Sequence, residues 1–317
     1  MPNFALKVTR LGFSLLQAVS PLLAGKTAFR LFCLTPSAKP KGAKARAAHA
    51  AGRVFLQSAE RIEFRLAGGR RAHAYRINGG AAGRRQRYLV THGWGSSMEY
   101  MTDLIGALAA SGAEVIGVDF PGHGRAGGRF LHMGLAVETI AAAEARFGPF
   151  DATVGHSFGG AALMVSGAGL LPEIEALSAG KIVTIGSPSE MKWLFAGFGR
   201  MVGLERAAQA ALEGEVHRLT GRRLEDFDAG EAAATMARPM LVIHAEDDKE
   251  VSANHARRYA ASGRSVRLFW ANGFGHRRIV SAEPVLAEIQ RFLADDPIKI
   301  DAEIIPLFEL PGKRASL

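Results

Sequence analysis

The sequence has few of the features that mark several large classes of protein. It contains one cysteine, Cys33, in 317 residues. A single cysteine excludes an intramolecular disulfide framework and any cysteine-based metal cluster, and it is typical of a protein from a reducing compartment. No repeat at a solenoid-like period is visible. With 48% apolar and 22% charged residues, the chain is long enough for one large core, with or without a small lid.

Acidic residues are scarce in the first part of the chain. Residues 1–87 hold 17 Lys or Arg against only Glu60 and Glu63, a net charge of +15, so the remainder of this +9 chain carries −6. Such a basic segment is expected to face an anionic surface such as membrane phospholipid, or to form a solvated basic layer. No nucleic-acid motif or interleaved aromatic residues accompany it, so nucleic acid is not an expected partner.

Long apolar runs are also missing. Residues 3–20 predict an amphipathic helix with a wide apolar face, ending near Pro21. The stretch between Arg10 and Lys26 contains Gln17 and Pro21 and is shorter than the roughly 20 apolar residues that a membrane span needs. The polar stripe of this helix is formed by Asn3, Lys7, Arg10, Ser14 and Gln17.

A signal peptide at this end is disfavoured, because Leu22-Leu23-Ala24 lacks the small residue expected two positions before a cleavage site. Two interpretations of the helix remain, one in which it lies in a membrane interface and one in which it docks on the domain. The expected location is the cytoplasm, with peripheral contact at the inner face of a membrane under the first interpretation.

Beyond a predicted linker at residues 35–42 and a basic helix at 43–57, strands begin to dominate. Residues 61–66 and 71–77 predict a hairpin, and residues 79–87 a glycine-rich turn. From Tyr88 short apolar strands alternate with helices, which indicates an α/β fold with a parallel sheet covered on both faces. The strands are predicted at 88–91, 114–119, 151–154, 181–185, 240–244 and 265–270, and the helices at 97–110, 134–147, 158–170, 253–262 and 284–293.

Residues 190–237 interrupt this alternation and predict a small helical lid. Its apolar start includes Trp193, Phe195 and Phe198, which could receive an acyl group or could only pack the lid on the body. The predicted organisation is therefore a helical extension at 1–57, a core at 58–189 and 238–296, the lid between the two core segments, and a tail at 297–317.

One stretch carries a chemical signal. Residues 155–159 read Gly-His-Ser-Phe-Gly, between a predicted strand and a run of small residues that predicts a helix. Glycines two positions before and after Ser157 permit a sharp strand-to-helix turn that presents the hydroxyl above the sheet, a nucleophile elbow. The alternative is a glycine-rich turn with an incidental serine.

Serine catalysis also needs a base, an acid that orients the base, and donors for an oxyanion. His276 follows the last predicted strand in a loop and is the candidate base. Asp248 is the candidate acid because motifs of this kind usually place the acid three residues after a small residue, here Ala245, and Asp247 is the reserve. The backbone N–H groups of Trp94 and Phe158 are the candidate oxyanion donors.

Other histidines near these motifs are expected to brace the structure. His92, His156 and His244 stand at strand ends, and His123 belongs to a turn. None of them is predicted to act as a second base, and nothing in the sequence predicts a metal or an organic cofactor.

Together these motifs resemble the α/β-hydrolase superfamily. The resemblance rests on residues 92–97, 119–124 and 155–159 with Asp248 and His276, and it covers roughly residues 60–295. It implies an eight-stranded, mostly parallel sheet and a Ser-His-Asp triad. Ala126 departs from the family pattern, in which serine often follows the turn, but this position holds no catalytic group. Residues 1–57 lie outside the resemblance.

The expected function is hydrolysis of carboxylic esters, through an acyl-enzyme on Ser157 and with a lipid-like or other apolar acyl substrate. A thioesterase, an acyltransferase, or a peptidase or amidase could use the same triad, since only the pocket discriminates. A non-catalytic binding protein of this fold is the alternative from another class. Relatives with aspartate at the elbow are disfavoured by Ser157, and the sequence leaves the oligomeric state open.

Overall fold

The computed structural model describes residues 4–37, 39–80, 86–236 and 238–295. The predicted tail at 297–317 therefore lies outside the described residues. Eight strands form one sheet in the order β1-β2-β4-β3-β5-β6-β7-β8. The strands are β1 (Glu60–Arg65), β2 (Arg71–Asn78), β3 (Arg87–Thr91), β4 (Glu114–Asp119), β5 (Phe150–His156), β6 (Ala179–Ile185), β7 (Met240–His244) and β8 (Val266–Trp270).

The sheet is mostly parallel, as predicted. β1 and β2 form an antiparallel hairpin, and β2 is antiparallel to β4. Every other neighbouring pair, from β3–β4 to β7–β8, is parallel. Because parallel strands end at the same edge, the loops after β3, β5, β7 and β8 meet on one side of the sheet.

Twelve α-helices accompany the sheet in the described part of the chain. They are α1 (Phe4–Val19), α2 (Pro21–Phe32), α3 (Ala43–Phe55), α4 (Thr102–Ala110), α5 (Met133–Phe147), α6 (Phe158–Gly167), α7 (Met191–Val202), α8 (Arg206–Thr220), α9 (Ala229–Met236), α10 (Asn254–Ala260), α11 (Gly275–Arg278) and α12 (Glu283–Ala294). None of the described helices is both long and apolar enough to cross a membrane.

Apolar cores lie on both faces of the sheet. Side chains alternate along a strand, so Leu89 of β3 points into one core while Tyr88 and Val90 point into the other. Helices α5 and α6 contribute to the core of Leu89, and α4 and α12 to the core of Val90. Helices therefore cover both faces, which confirms the predicted architecture.

The first two helices pack on the body of the protein. Helix α2 begins with Pro21 at its first position, after Ser20, whose hydroxyl accepts a hydrogen bond from the Leu23 N–H. It packs closely against α8, because a Cβ added to Gly25 would lie 2.4 Å from Ala211 Cβ. Helix α2 therefore lies against the helices that connect β6 to β7.

The chain after α2 is bound to the core, although residues 35–42 were predicted to be a linker. Leu34 forms an antiparallel bridge with Phe130. Thr35 is buried, and its hydroxyl donates to the Gly122 carbonyl at 3.0 Å. The β-branched side chain and its hydrogen bond thus hold the start of this segment in place.

Candidate active site

Ser157 lies in a strained turn between β5 and α6. Its φ is +53°, and it is the one residue other than glycine with a positive φ among those that the structure describes. The Ser157 N–H donates to the Ile185 carbonyl on the neighbouring strand at 2.8 Å. Strain of this kind persists only where the surroundings fix it, and it often occurs at functional sites.

The flanking glycines are required by close packing. A Cβ on Gly155 would lie 2.6 Å from the Cα of Gly160, and one on Gly159 would lie 2.5 Å from the His92 carbonyl oxygen. Neither glycine has a positive φ. The glycines therefore allow the strand, the helix and the loop after β3 to meet at Ser157.

His276 lies between Ser157 and Asp248. Its Nε2 is 3.0 Å from Ser157 Oγ, and its Nδ1 is 2.7 Å from Asp248 Oδ2. The sequence predicted a loop position for His276, but the residue is the second of the short helix α11. Gly273 and Gly275, with φ of +87° and +59°, turn the chain sharply enough for this helix to begin directly beside the elbow.

Asp248 is held by hydrogen bonds on both carboxylate oxygens. Oδ1 accepts from the N–H groups of Glu250 at 2.7 Å and Val251 at 2.9 Å, and Oδ2 faces His276. Burial of the carboxylate raises its pKa, but the hydrogen bonds from His276 and the two N–H groups outweigh burial, so the pKa lies below its ordinary value. Asp248 is therefore ionised at neutral pH.

Asp247, the reserve candidate, has a different partner. Its Oδ1 accepts from the Gly273 N–H at 2.9 Å. The structure thus brings Asp248, and not Asp247, to the imidazole.

The backbone beside Ser157 offers two free donors. A Cβ on Gly93 would lie 2.9 Å from Ser157 Cβ, so the loop that carries Trp94 lies against the elbow. Phe158 is the first residue of α6, where N–H groups point out of the helix and the dipole favours negative charge. In the described ranges, no backbone carbonyl accepts from the N–H of Trp94 or Phe158.

The surrounding histidines hold loops in place. His92 Nε2 accepts from the Phe120 N–H at 3.2 Å, and His123 Nε2 accepts from the Gly95 N–H at 3.0 Å. His156 Nε2 donates to the His276 carbonyl at 2.8 Å, and His244 Nε2 donates to the Val251 carbonyl at 3.0 Å.

Burial keeps these side chains neutral. It lowers the pKa of His123 to about 4, and burial together with the nearby His276 lowers the pKa of His156 to about 4. Both imidazoles therefore remain uncharged at neutral pH.

An apolar pocket opens beside the two donor groups. The Trp94 and Phe158 rings, 5.5 Å apart and edge to face, form the end of the pocket nearest the elbow. The pocket encloses about 510 Å³, including the part open to solvent. Its walls are Phe29, Phe32, Cys33, Trp94, Leu131, His132, Met133, Gly134, Phe158, Met191, Phe195, Val216, Leu219, Thr220, Leu224 and Phe227.

The three candidate substrate-binding residues of α7 have different surroundings. Phe195 lines the pocket. Trp193 does not, because its ring packs on His255 with centroids 4.7 Å apart. Phe198 packs edge to face on Phe32 at 5.2 Å and also lies outside the pocket walls.

Sequence reasoning missed the contribution of α2 to the pocket. Phe29, Phe32 and Cys33 line it, and their spacing of three and four residues places them on one helix face. This spacing was visible in the sequence, but nothing there indicated what the face would contact. Burial raises the pKa of the Cys33 thiol to about 12, so the thiol stays protonated.

Gly186 is a second residue that sequence reasoning missed. It follows β6 with φ of +58°, and a Cβ there would lie 3.2 Å from His276 Nδ1. A glycine directly after a predicted strand, in Gly186-Ser187-Pro188, was the available signal. No group of three or more metal-ligating side chains occurs in the part of the chain that the structure describes.

A model of the alpha/beta hydrolase family matches residues 88–288, which is well over half of the chain. The chain belongs to the alpha/beta hydrolase family. The resemblance inferred from the motifs is thereby confirmed. The matched region of this alpha/beta hydrolase begins in β3, so α1–α3 and the first hairpin lie outside it. A comparison with curated protein sequences gives no significant match.

Solved structures with the same fold include three esterases. The esterase Pf2001 of Pyrococcus furiosus is 16% identical, with a TM-score of 0.56 over 82% of this chain and 95% of its own. The esterase domain of a Rhodothermus marinus protein is 19% identical, with a TM-score of 0.53 over 74% of this chain and 96% of its own. Esterase RhEst1 from Rhodococcus sp. ECU1013 is 16% identical, with a TM-score of 0.52 over 75% of this chain and 98% of its own. At such identities the likeness establishes the fold alone.

Proposed function

We propose that this alpha/beta hydrolase cleaves carboxylic esters through an acyl-enzyme on Ser157. The observation that carries the proposal is the position of His276, whose two ring nitrogens lie 3.0 Å from Ser157 Oγ and 2.7 Å from Asp248 Oδ2. Both distances are within the hydrogen-bond range of a nucleophile, a base and an orienting acid.

The first half-reaction follows from this geometry. His276 Nε2 takes the hydroxyl proton as Ser157 Oγ attacks the acyl carbon, and the carbonyl oxygen becomes an oxyanion. The N–H groups of Trp94 and Phe158 donate to it. The intermediate then collapses, the ester C–O bond breaks, and the leaving alcohol takes the proton from His276.

Water completes the cycle. It loses a proton to His276 Nε2 as it attacks the acyl-enzyme, and the second intermediate releases a carboxylic acid while Ser157 regains its proton. Asp248 stays ionised throughout, holds Nδ1–H as a donor and stabilises the imidazolium.

The pocket supports an apolar acyl group. Its walls are almost entirely apolar and begin at Trp94 and Phe158, so a carbonyl at the proposed oxyanion site would direct its acyl chain between α2, α7 and α8. We propose that α7–α9, together with α2, act as the lid of this site.

Turnover on a panel of acyl substrates tests the proposal. We expect hydrolysis of aryl and alkyl esters from acetate to octanoate, with kcat/KM rising with chain length, and loss of this activity in Ser157→Ala. Thioesters and anilides of the same acyl groups distinguish an esterase from a thioesterase or an amidase. Equal turnover by the wild type and Ser157→Ala, or none by folded wild type on any ester, would contradict the proposal.

A further inference from the structure

Helix α1 turns a row of large apolar side chains toward solvent. Phe4, Val8, Leu11, Leu15 and Val19 are between 52% and 84% exposed. Their spacing of three and four residues places all five on one face of the helix. Leu22 and Leu23, at the start of α2, are more than half exposed as well. We call these seven residues the N-terminal apolar face.

This face is fixed relative to the body, because α1 docks by its opposite side. Phe13 and Gln17 are buried. Gln17 Nε2 donates to the Gly203 carbonyl at 3.2 Å, and its Oε1 accepts from the Glu205 N–H at 3.0 Å. Arg10 Nε donates to the Met201 carbonyl at 2.8 Å. Part of the polar stripe thus binds the C-terminal end of α7 and the start of α8, and the N-terminal apolar face is left outside.

The same helices connect this face to the pocket. Leu22 and Leu23 are exposed at the start of α2, whereas Phe29 and Phe32, further along the same helix, line the apolar pocket. Phe32 also packs on Phe195 of α7, with ring centroids 4.5 Å apart. A surface that covered the N-terminal apolar face would therefore lie next to a wall of the pocket.

The two helices that carry the face bear charge of one sign. Residues 1–59 contain nine Lys or Arg and no Asp or Glu. Lys7, Lys26 and Arg30 are exposed, and no carboxylate among the described residues forms an ion pair with them. Apolar area bordered by unpaired cations is the combination that binds interfacial helices to anionic lipid.

We propose that the N-terminal apolar face docks on an anionic lipid surface, so that the pocket takes its apolar acyl substrate from that surface. The uptake of an acyl substrate from the lipid surface rests on the proposed ester hydrolysis, whereas the docking of the face does not. A second copy of the chain is the less favoured occupant, since pairing two such faces would bring together two segments that carry only positive charge.

Flotation of the full-length protein with phospholipid vesicles tests the docking. We expect binding to vesicles of phosphatidylcholine with about 30% phosphatidylglycerol, weaker binding to phosphatidylcholine alone, and weakening at high salt. Leu11→Ser/Leu15→Ser should reduce the partition coefficient by about tenfold or more, because two leucine side chains are no longer transferred from water into the lipid. Lys26→Ala/Arg30→Ala should weaken binding to the anionic vesicles only.

A matched variant on the same helix controls for added hydroxyl groups. Ala5→Ser/Ala18→Ser changes two exposed positions and removes little apolar area, so it should bind like the wild type. Thermal unfolding of each variant shows whether it is folded. Ser157→Ala should also bind like the wild type, so loss of ester hydrolysis and loss of docking are separate results.

Three results would overturn the proposal. One is a wild type that floats with neither vesicle, and another is a folded Leu11→Ser/Leu15→Ser variant that binds as well as the wild type. The third is a wild type that is dimeric in solution and does not bind vesicles, together with a monomeric Leu11→Ser/Leu15→Ser variant. The face would then be a protein–protein interface.

Discussion

Asp247 and Asp248 are neighbours in the loop after β7, but their carboxylates have different partners. Asp248 Oδ2 lies 2.7 Å from His276 Nδ1, and Asp247 Oδ1 accepts from the Gly273 N–H. The sequence predicted Asp248 and not Asp247 as the acid, because the acid of such motifs usually stands three residues after a small residue, here Ala245. The pair also provides a matched test of the proposed acid.

Asp248→Asn should lower kcat/KM for an ester by about 10³–10⁴-fold, because the neutral amide neither stabilises the imidazolium nor keeps the required tautomer. Asp247→Asn retains an oxygen for the Gly273 N–H and should stay within about threefold of the wild type. Steady-state kinetics of both variants on one ester measure the difference. A loss in Asp247→Asn as large as that in Asp248→Asn would contradict the assignment.

Other residues of the site were less predictable. Trp193 and Phe195 are two positions apart in an apolar run, and only the second lines the pocket. On a helix, two residues two positions apart point in different directions, but the sequence does not say which direction faces the pocket. That depends on how α7 packs against α2, which is distant in the chain.

The β5–α6 turn depends on glycine for space as well as for its backbone. We expect Gly159→Ala to lower the free energy of unfolding by about 1–3 kcal/mol, since the new methyl group would meet the His92 carbonyl, and to reduce kcat by displacing the elbow. Gly214→Ala is the matched control, because Gly214 is an exposed residue of α8 and no atom lies within 4 Å of the added Cβ. Gly214→Ala should raise the free energy of unfolding by about 0.5–1 kcal/mol.

Urea unfolding and ester turnover of the two variants measure both effects. Equal stability of Gly159→Ala and the wild type would show that the loop after β3 does not contact the elbow as closely as described.

Helix α2 offers a second comparison between glycines. A Cβ on Gly25 would meet Ala211 Cβ at 2.4 Å, whereas a Cβ on Gly12 of α1 meets nothing within 4 Å. Gly25→Ala should move α2 away from α8 and lower stability by about 1–3 kcal/mol. It should also raise KM for octanoate esters more than for acetate esters, because α2 forms a wall of the acyl pocket.

Gly12→Ala should leave both KM values unchanged and stabilise the protein slightly. If Gly25→Ala changed KM equally for short and long esters, α2 would not be a wall of the acyl site.

The strands of the core could be predicted from the sequence, whereas the position of the N-terminal helices on the body could not. β4 and β7 are found at the residues predicted for them, because each is a short apolar run between polar turns. The pattern also predicted α1, yet it could not show that Gln17 would be buried and Leu15 exposed. Those environments depend on hydrogen bonds to Gly203 and Glu205, which lie almost 190 positions away.

Across the whole molecule, buried neutral histidines make stability depend on pH. Burial lowers the pKa of His123, His156 and His255 to about 4, so the unfolded chain binds these protons first as the pH falls. Each group then reduces the free energy of unfolding by up to about 1.4 kcal/mol per pH unit between pH 6.5 and 4. Burial raises the pKa of Asp119 to about 6, so the folded protein binds this proton first as the pH falls. Asp119 therefore raises the free energy of unfolding over this range and offsets the effect of one histidine.

We therefore expect the urea midpoint to decrease from pH 7 to pH 4.5. Unfolding curves at half-unit steps of pH measure this change. A midpoint that stayed constant over the range would contradict the neutral, buried state of these histidines.

Reaction of Ser157 with a fluorophosphonate tests the central claim most directly. The probe reacts with serines that an adjacent base activates, and mass spectrometry of the labelled peptide identifies the residue. We predict that folded wild type is labelled on Ser157 alone and that Ser157→Ala and heat-denatured wild type are not labelled. Labelling that persists in Ser157→Ala, or folded wild type that turns over no ester and takes up no label, would contradict the assignment of Ser157 as the nucleophile.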